Sequence, residues 1–578
     1  MTASVLCRHR EWIRLQEGKL TATSRLGHIV NDELQAASEQ YPGLITLVGA
    51  RAKNTCLKHL FPSSRRRYPT ASINLGVESA LSPNPLLFVD TSTSAKDISG
   101  VDHGLRSRNS CHAETPYVIR WASERDLFDI FQARLLFLFS DVVCLFADDF
   151  PSIQAVVQKI TTWVEIGNAS DFPSQVEEAR EVRRSHRCLF SAQHILALFQ
   201  KAIQHTAATI TEPCNFIAAA MSTDREAYAY HLRTFSKLAT KLSLPADTVA
   251  QHVSSCILVE SYRPRMHHFS ARAVFRSQYH HETLTVLEEL HPGDLAERMC
   301  NTIEDHLEEL LFRIERESRL AVACHQENLQ SQCESWKLIK TNLTCLACLH
   351  RAPERVKACG HSICDICVRR FGRSSPASKN RYLLDSCVLC LARGALTVDM
   401  KPRTAGVRML GIDGGGCRVV MAIQYLTELE KLLHGCFLHE VFDIVSGTSA
   451  GGPVLMLMFR HNRPASYCGK TVDKVARRCF GELKGRWRFL RALLRFLHLR
   501  AIYSETSLED LLKVECGDGE RLFGHAEISG VRIAVTAVSD RGTRSILTNY
   551  NGAVQIQDDR YSLVRPQDIA KEPLIWEV

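Results

Sequence analysis

The 578-residue sequence has no run of about 18 uncharged apolar residues, the length a helix needs to span a bilayer. Its most apolar stretch, Ala133–Phe146 (ARLLFLFSDVVCLF), is too short and carries Asp141, so it is expected to be a buried strand and its flank. The opening MTASVLCRHREWIRLQ lacks the apolar core of a secretory leader. A large excess of one charge is also missing: 71 Lys+Arg against 63 Asp+Glu leave a net charge of +8. That excess does not indicate a nucleic-acid partner, although it permits contact with an anionic membrane surface. Neither internal repeats nor long low-complexity tracts occur. With 45% hydrophobic and 23% charged residues, a disordered, collagen-like or fibrous chain is excluded. The length corresponds to about three to five domains.

Cysteine is abundant instead, at 22 residues, seven of them between Cys345 and Cys390. Together with the missing leader, this clustering suggests a reducing, cytoplasmic setting and metal ligation rather than disulfides. The fold class expected is a multidomain α/β chain. Residues 1–43 form an N-terminal segment with weak helical patterning. Apolar strands alternating with helical stretches mark an α/β domain over 44–270. Residues 271–340 are expected as a helical linker, in which Asp294 and Glu297 open a capping box. There Leu295, Met299, Ile303, Leu307, Leu311 and Ile314 recur as one packed helical face. The cysteine cluster occupies 341–395, and a second α/β pattern runs from 405 to 578.

The cluster reads Cys345-x2-Cys348, Cys359-x-His361-x2-Cys364-x2-Cys367 and Cys387-x2-Cys390. Eight thiol or imidazole ligands in four pairs suffice for two closed tetrahedral sites, and a two-residue gap lets both sulfurs of a pair reach one ion. This spacing resembles the RING finger. The resemblance implies two structural zinc ions with interleaved ligands. Cys345, Cys348, Cys364 and Cys367 would hold the first, and Cys359, His361, Cys387 and Cys390 the second. It also implies a ubiquitin-conjugating enzyme as partner, with Leu346 and Val388 supplying the apolar contact. The last pair lacks the proline often found after its first cysteine, and no tryptophan lies between Cys367 and Cys387.

In the last region a strand, Val407–Ile412, runs into Asp413-Gly414-Gly415-Gly416-Cys417-Arg418 and a helical stretch. A second strand, Phe442–Val445, runs into Gly447-Thr448-Ser449-Ala450-Gly451 and another helical stretch. Small residues around Ser449 permit a sharp strand-to-helix turn that presents its hydroxyl. Consecutive glycines can aim several N–H groups at one developing oxyanion. The combination resembles the patatin-like phospholipase domain. The resemblance implies a serine acyl-ester hydrolase of phospholipids or related lipids, acting through a serine–aspartate dyad without histidine or calcium. Ser449 corresponds to the nucleophile, Gly414, Gly415 and Gly416 to the oxyanion loop, and Arg418 to the loop's basic residue. Val419 replaces the glycine usual after that arginine, and Pro453 falls in the turn after the elbow. The dyad aspartate belongs in a later Asp-Gly-Gly or Asp-Gly-Ala motif. Asp518-Gly519, the one Asp-Gly pair after Ser449, has the context of a loop before a strand (Val531–Val538). The domain is therefore expected to lack its C-terminal part and its dyad aspartate, and to be a feeble catalyst. The runner-up is a Ser-His-Asp triad using His461, His498 or His525. The alternative function is a catalytically inactive zinc-binding scaffold or a ubiquitin ligase. Lys484, Arg488, Arg491 and Arg495 share a face of a basic amphipathic stretch, read as a lid helix or a peripheral membrane contact.

Near the N-terminus, Leu44–Gly49 followed by ARAKNTCLKHLF has the outline of strand, phosphate loop and helix, and Leu86–Asp90 that of the metal-side strand. The order resembles GTPase-like domains that accompany RING and patatin-like modules in multidomain fungal proteins. The loop signature is degenerate: Asn54, Thr55 and Cys56 stand where Gly-Lys-Ser/Thr is required, so nucleotide is not an expected cofactor.

Overall fold

A computed structural model describes all residues except 1–9, 17–18, 62–70, 94–112, 120–123, 168–175, 210–213, 222, 292, 377, 403, 481–504, 524–529, 539–541, 552–560 and 567. The chain divides into two compact units, residues 1–222 with 264–278 and residues 223–263 with 279–578.

The first unit is built on a seven-stranded sheet. Its strands are β1 (Glu11–Gln16), β2 (Lys19–Thr23), β3 (Gly43–Val48), β4 (Ala71–Leu75), β5 (Leu86–Thr91), β6 (Glu114–Val118) and β7 (Val142–Leu145). They lie in the order β6-β2-β1-β4-β5-β3-β7. β3 pairs in parallel with both β5 and β7, and the remaining neighbours are antiparallel. Helix α1 (Arg51–Leu60) follows β3. The helical patterning expected before residue 44 gives way to the β1–β2 hairpin, in which Trp12, Ile13 and Leu20 are buried. The Ala133–Phe146 run also differs from the expected strand. Its first half is helical through Phe139, and only β7 is extended. Asp141, between the halves, accepts the Leu44 N–H at 2.6 Å and pairs with Arg183.

The second unit begins with helices α2 (Arg225–Lys241), α3 (Ala246–Ser261), α4 (His280–Leu290), α5 (Asp294–Arg316), α6 (Ala321–Ser331) and α7 (Cys333–Lys337). Met299, Ile303, Leu307, Leu311 and Ile314 of α5 are buried, and the Ser254 hydroxyl of α3 donates to Ile303 O. Leu295 is largely exposed, and the capping box is not formed. Gly293, at φ +92°, precedes the helix, and Asp294 is its first residue. These helices form a packed body in the same unit as the cysteine cluster.

The cysteine-rich segment contributes short strands β8 (Arg355–Val356) and β9 (Ser362–Ile363), helix α8 (Asp365–Phe371), and a three-stranded antiparallel sheet. That sheet comprises β10 (Arg373–Ser375), β11 (Ser378–Ser386) and β12 (Arg393–Asp399). A five-stranded sheet follows, in the order β13 (Met409–Ile412), β14 (Ile444–Thr448), β15 (Arg532–Val538), β16 (Arg544–Thr548) and β17 (Ser562–Val564). The first three strands are parallel, and β16 runs antiparallel to β15. Helix α9 (Val419–Leu432) connects β13 to β14. Its core, which includes Ile412, Val419, Ile423, Val445, Leu455, Phe459, Ile533 and Val535, holds the β13 and β14 ends in register. Val419 is thus buried in that core. No helix among the described residues is long and apolar enough to cross a membrane.

Candidate functional site

β14 delivers the chain into Ser449, an exposed residue held at φ +53°. A non-glycine residue in the left-handed region costs on the order of 1–3 kcal/mol and persists only where its surroundings over-determine it. The surroundings here are close-packed backbone. A Cβ on Gly451 would lie 2.5 Å from Ile412 O of β13, so only glycine lets the helix after the elbow rest against that strand. A Cβ on Gly414 would lie 2.9 Å from the Ser449 Cβ and 3.1 Å from Thr448 O. The glycine loop therefore lies directly against the serine. Gly415 and Gly416 adopt φ +134° and +58°, and a single 3-10 turn, Gly416–Arg418, leads into α9.

Helix α10 (Gly451–Leu455) continues as a π turn through Arg460. Gly452 N–H donates to Ser449 O at 2.9 Å, and Pro453 sits in the first turn, where no intrahelical donor is lost. Beside the elbow, the Thr448 and Thr536 hydroxyls share a hydrogen bond of 2.9 Å. Gly447, Thr448, Ala450 and Gly451 thus form the turn, and Arg418 stands exposed at the end of the glycine loop.

Of the candidate triad histidines, His461 lies beyond the far end of the π turn. Burial pushes its imidazole down, with Glu520, Arg460 and Arg463 as its charged surroundings. His498 and His525 lie outside the described residues, as does the basic stretch Lys484–Arg500. Asp518 sits in the loop after Cys516, where its carbonyl accepts the Trp576 indole N–H at 3.3 Å. Among the described residues, no acid or imidazole hydrogen-bonds the Ser449 hydroxyl.

The eight metal-ligand candidates gather into two groups, Cys345/Cys348/Cys364/Cys367 and Cys359/His361/Cys387/Cys390. Within each group the ligand atoms all lie within 4.8 Å of one another. Cys348 and Cys364 sulfurs are 3.9 Å apart, and His361 Nδ1 is 3.3 Å from the Cys359 sulfur. His361 Nε2 bonds Trp336 O at 2.8 Å, which places the ring proton there and leaves Nδ1 with its lone pair facing the thiols. Either group could hold a metal ion. Leu346 and Val388, expected as an exposed contact surface, are instead buried. The loop carrying Leu346 is seated on the helical body, where His325 of α6 bonds Ala347 O at 2.9 Å.

In the first unit, the turn between β3 and α1 holds an internal anion. The Asp149 carboxylate accepts N–H groups of Ala50 at 2.6 Å, Ala52 at 2.8 Å and Lys53 at 3.1 Å. Lys53 is buried, pairs with Asp90 Oδ1 at 2.5 Å and donates to Thr91 O. Desolvation opposes the charge on Asp149, but the N–H donors of residues 50–53 outweigh it and hold its carboxyl below the usual aspartate range. Sequence reasoning missed Asp149, whose only local signal is the acidic pair that follows β7. Asp149→Ala is expected to destabilise the first unit by about 1–2 kcal/mol, the value of a helix cap, measured by urea denaturation. The contribution is present at neutral pH and is lost as pH falls through the depressed value of the folded state.

Residues 410–570 match the family model of the patatin-like phospholipases. The C-terminal α/β region is a patatin-like phospholipase domain. Human calcium-independent phospholipase A2-gamma is 28% identical over 112 residues, which are 19% of this chain and 14% of that protein. The rat protein of the same name is 29% identical over 118 residues. Phospholipase A I of Arabidopsis thaliana is 32% identical over 77 residues, 13% of this chain and 6% of that protein. The chain thus spans about a seventh or less of the length of these relatives. The strand–glycine-loop–helix and strand–elbow–helix units that face each other across Gly414 and Ser449 both fall inside the patatin-like domain.

Proposed function

We propose that the patatin-like domain is a serine acyl-ester hydrolase of phospholipids or related lipids, independent of calcium. The observation that carries this is the left-handed Ser449 with Gly414 packed on its Cβ. The Ser449 hydroxyl would attack the ester carbonyl, and the N–H groups of the 414–416 loop would stabilise the tetrahedral oxyanion. The Ser449 proton would pass to the aspartate of a dyad, and because no carboxylate among the described residues stands at hydrogen-bond distance, turnover with these residues alone is expected to be slow. In the test, phospholipid vesicles are incubated with the protein in EGTA and fatty-acid release is followed. Ser449→Ala is expected to lower release at least about a hundredfold, as loss of a nucleophile does. Equal release by the variant would remove the assignment.

The cysteine-rich segment is read as a RING-type module holding two structural zinc ions, Cys345/Cys348/Cys364/Cys367 on one and Cys359/His361/Cys387/Cys390 on the other. Tetrahedral Zn–S bonds of about 2.3 Å place sulfurs about 3.8 Å apart, close to the Cys348–Cys364 separation. A second reading for the whole chain, a zinc-held scaffold with an inactive hydrolase fold, is favoured by the absence of a base at Ser449 among the described residues. Recruitment of a ubiquitin-conjugating enzyme is the weaker variant, because Leu346 and Val388 are buried. The first unit is read as a GTPase-like scaffold whose phosphate turn is filled by Asp149, and its ligand would be no nucleotide.

A further inference from the structure

The flank of the first metal-ligand group and the far edge of the patatin-like sheet meet at one buried polar node, all within the second unit. Arg565, just after β17, is its centre. The guanidinium donates through Nε to Asn551 Oδ1 at 3.0 Å, and through Nη1 to both Glu572 oxygens at 2.9 Å. Through Nη2 it reaches Thr548 O at 2.6 Å, Thr548 Oγ1 at 2.8 Å and Tyr550 O at 3.1 Å. Its other face lies 3.9 Å from the Phe523 ring centroid. Glu572 and Asn551 then cross to the metal module. Glu572 accepts from Asn342 Nδ2 at 2.8 Å, and Asn551 Nδ2 donates to Asn342 O at 2.9 Å and Pro353 O at 2.5 Å. Beside this node, Arg532 of β15 faces Glu354 at 3.8 Å.

Both anchor points on the module belong to the loop that presents its first ligands. Asn342 lies three residues before Cys345, and the Cys345 N–H donates to Arg351 O, two residues before Pro353. Glu354 N–H continues into Ile363 O, next to Cys364. On the sheet side, Thr548 is registered opposite Ala534 of β15, whose Thr536 bonds Thr448, the neighbour of Ser449. A continuous set of contacts, buried at the Arg565 node and exposed at the Thr448–Thr536 pair, therefore runs from the Cys345 loop to the elbow.

We propose that metal loading of the Cys345/Cys348/Cys364/Cys367 group fixes the β16–β17 edge of the patatin-like sheet through Asn342, Asn551, Arg565 and Glu572, making the module a metal-dependent clasp on the hydrolase fold. A buried guanidinium and carboxylate are tolerated only with every donor and acceptor placed, so loss of the ordered 342–354 loop strips the node of two carbonyl acceptors and one amide donor at once. The proposal rests on the metal-binding reading of the module.

The test is metal analysis followed by hydrogen–deuterium exchange on the full chain, with zinc loaded and after removal by a zinc chelator. Loaded protein is expected to carry two ions. Chelation is expected to raise uptake rates at least about tenfold in 341–368 and, in step, in 544–551 and 561–572, while β3–β5 of the first unit stay unchanged as an internal reference. Fewer than two ions in loaded protein would overturn the metal reading. Two ions with unchanged exchange at 544–572 after chelation would overturn the clasp alone. Asn551→Ala, which removes no ligand, is expected to keep both ions and protection in 345–367, yet to lose protection in 544–551 and 561–572. Full protection there in the variant would also overturn the clasp.

Discussion

Cys364→Ser is expected to reduce bound zinc from two ions to one per chain and to lower the thermal transition of the second unit by about 10 °C or more. The argument is one of compensation. Cys345, Cys348, Cys364 and Cys367 are all buried, so with one ligand removed the other three thiols remain in the interior without the charge they were arranged to meet. Structural zinc contributes on the order of 10–16 kcal/mol to folding in small modules. The Cys345–Cys348 loop is also seated on α3 and α6, so its loss reaches the helical body through the His325–Ala347 contact. Metal content by colorimetric release and melting by circular dichroism check this. An unchanged zinc content in the variant would show that the four thiols do not share an ion.

Gly451→Ala is the second large effect. It is expected to destabilise the patatin-like domain by about 3 kcal/mol or more, beyond ordinary overpacking. The added methyl would meet Ile412 O at 2.5 Å, and that carbonyl is backbone of β13, paired along its length with β14. Neither partner can rotate away as a flexible side chain would. The helix must lift off the strand, which releases the constraint holding Ser449 at φ +53°. The same substitution at Gly519, which has open space around it, is expected to change stability little, and the pair of urea denaturation curves separates close approach from a general glycine effect.

The contrast between what could and could not be read from the chain is one of range. The strand-to-helix turn at Ser449 and the grouping of the cysteines were legible because their constraints are local: small residues flanking Ser449, and pairs of cysteines two residues apart. The β13-to-β14 order followed for the same reason, since a strand, a glycine loop and a helix lie within thirty-five residues in the sequence. The β1–β2 hairpin was not legible, because Glu11–Thr23 carries only a faint alternation and its burial is decided by pairing with β4 and β6. Leu346 was read as exposed because the helices that cover it carry His252 and His325, well before it in the chain. Asp149 went unseen because its N–H partners lie 96 to 99 residues upstream. The Arg565 node likewise joins residues up to 230 positions apart, as between Asn342 and Glu572, and no periodicity announces it.

The most direct test of the account is covalent trapping at the elbow. The full chain, loaded with zinc, is incubated with a fluorophosphonate probe, digested and mapped by mass spectrometry. The account predicts a single serine adduct, on the peptide that contains Ser449, and none in the Ser449→Ala variant. An adduct on another serine, or an unlabelled Ser449, would contradict it.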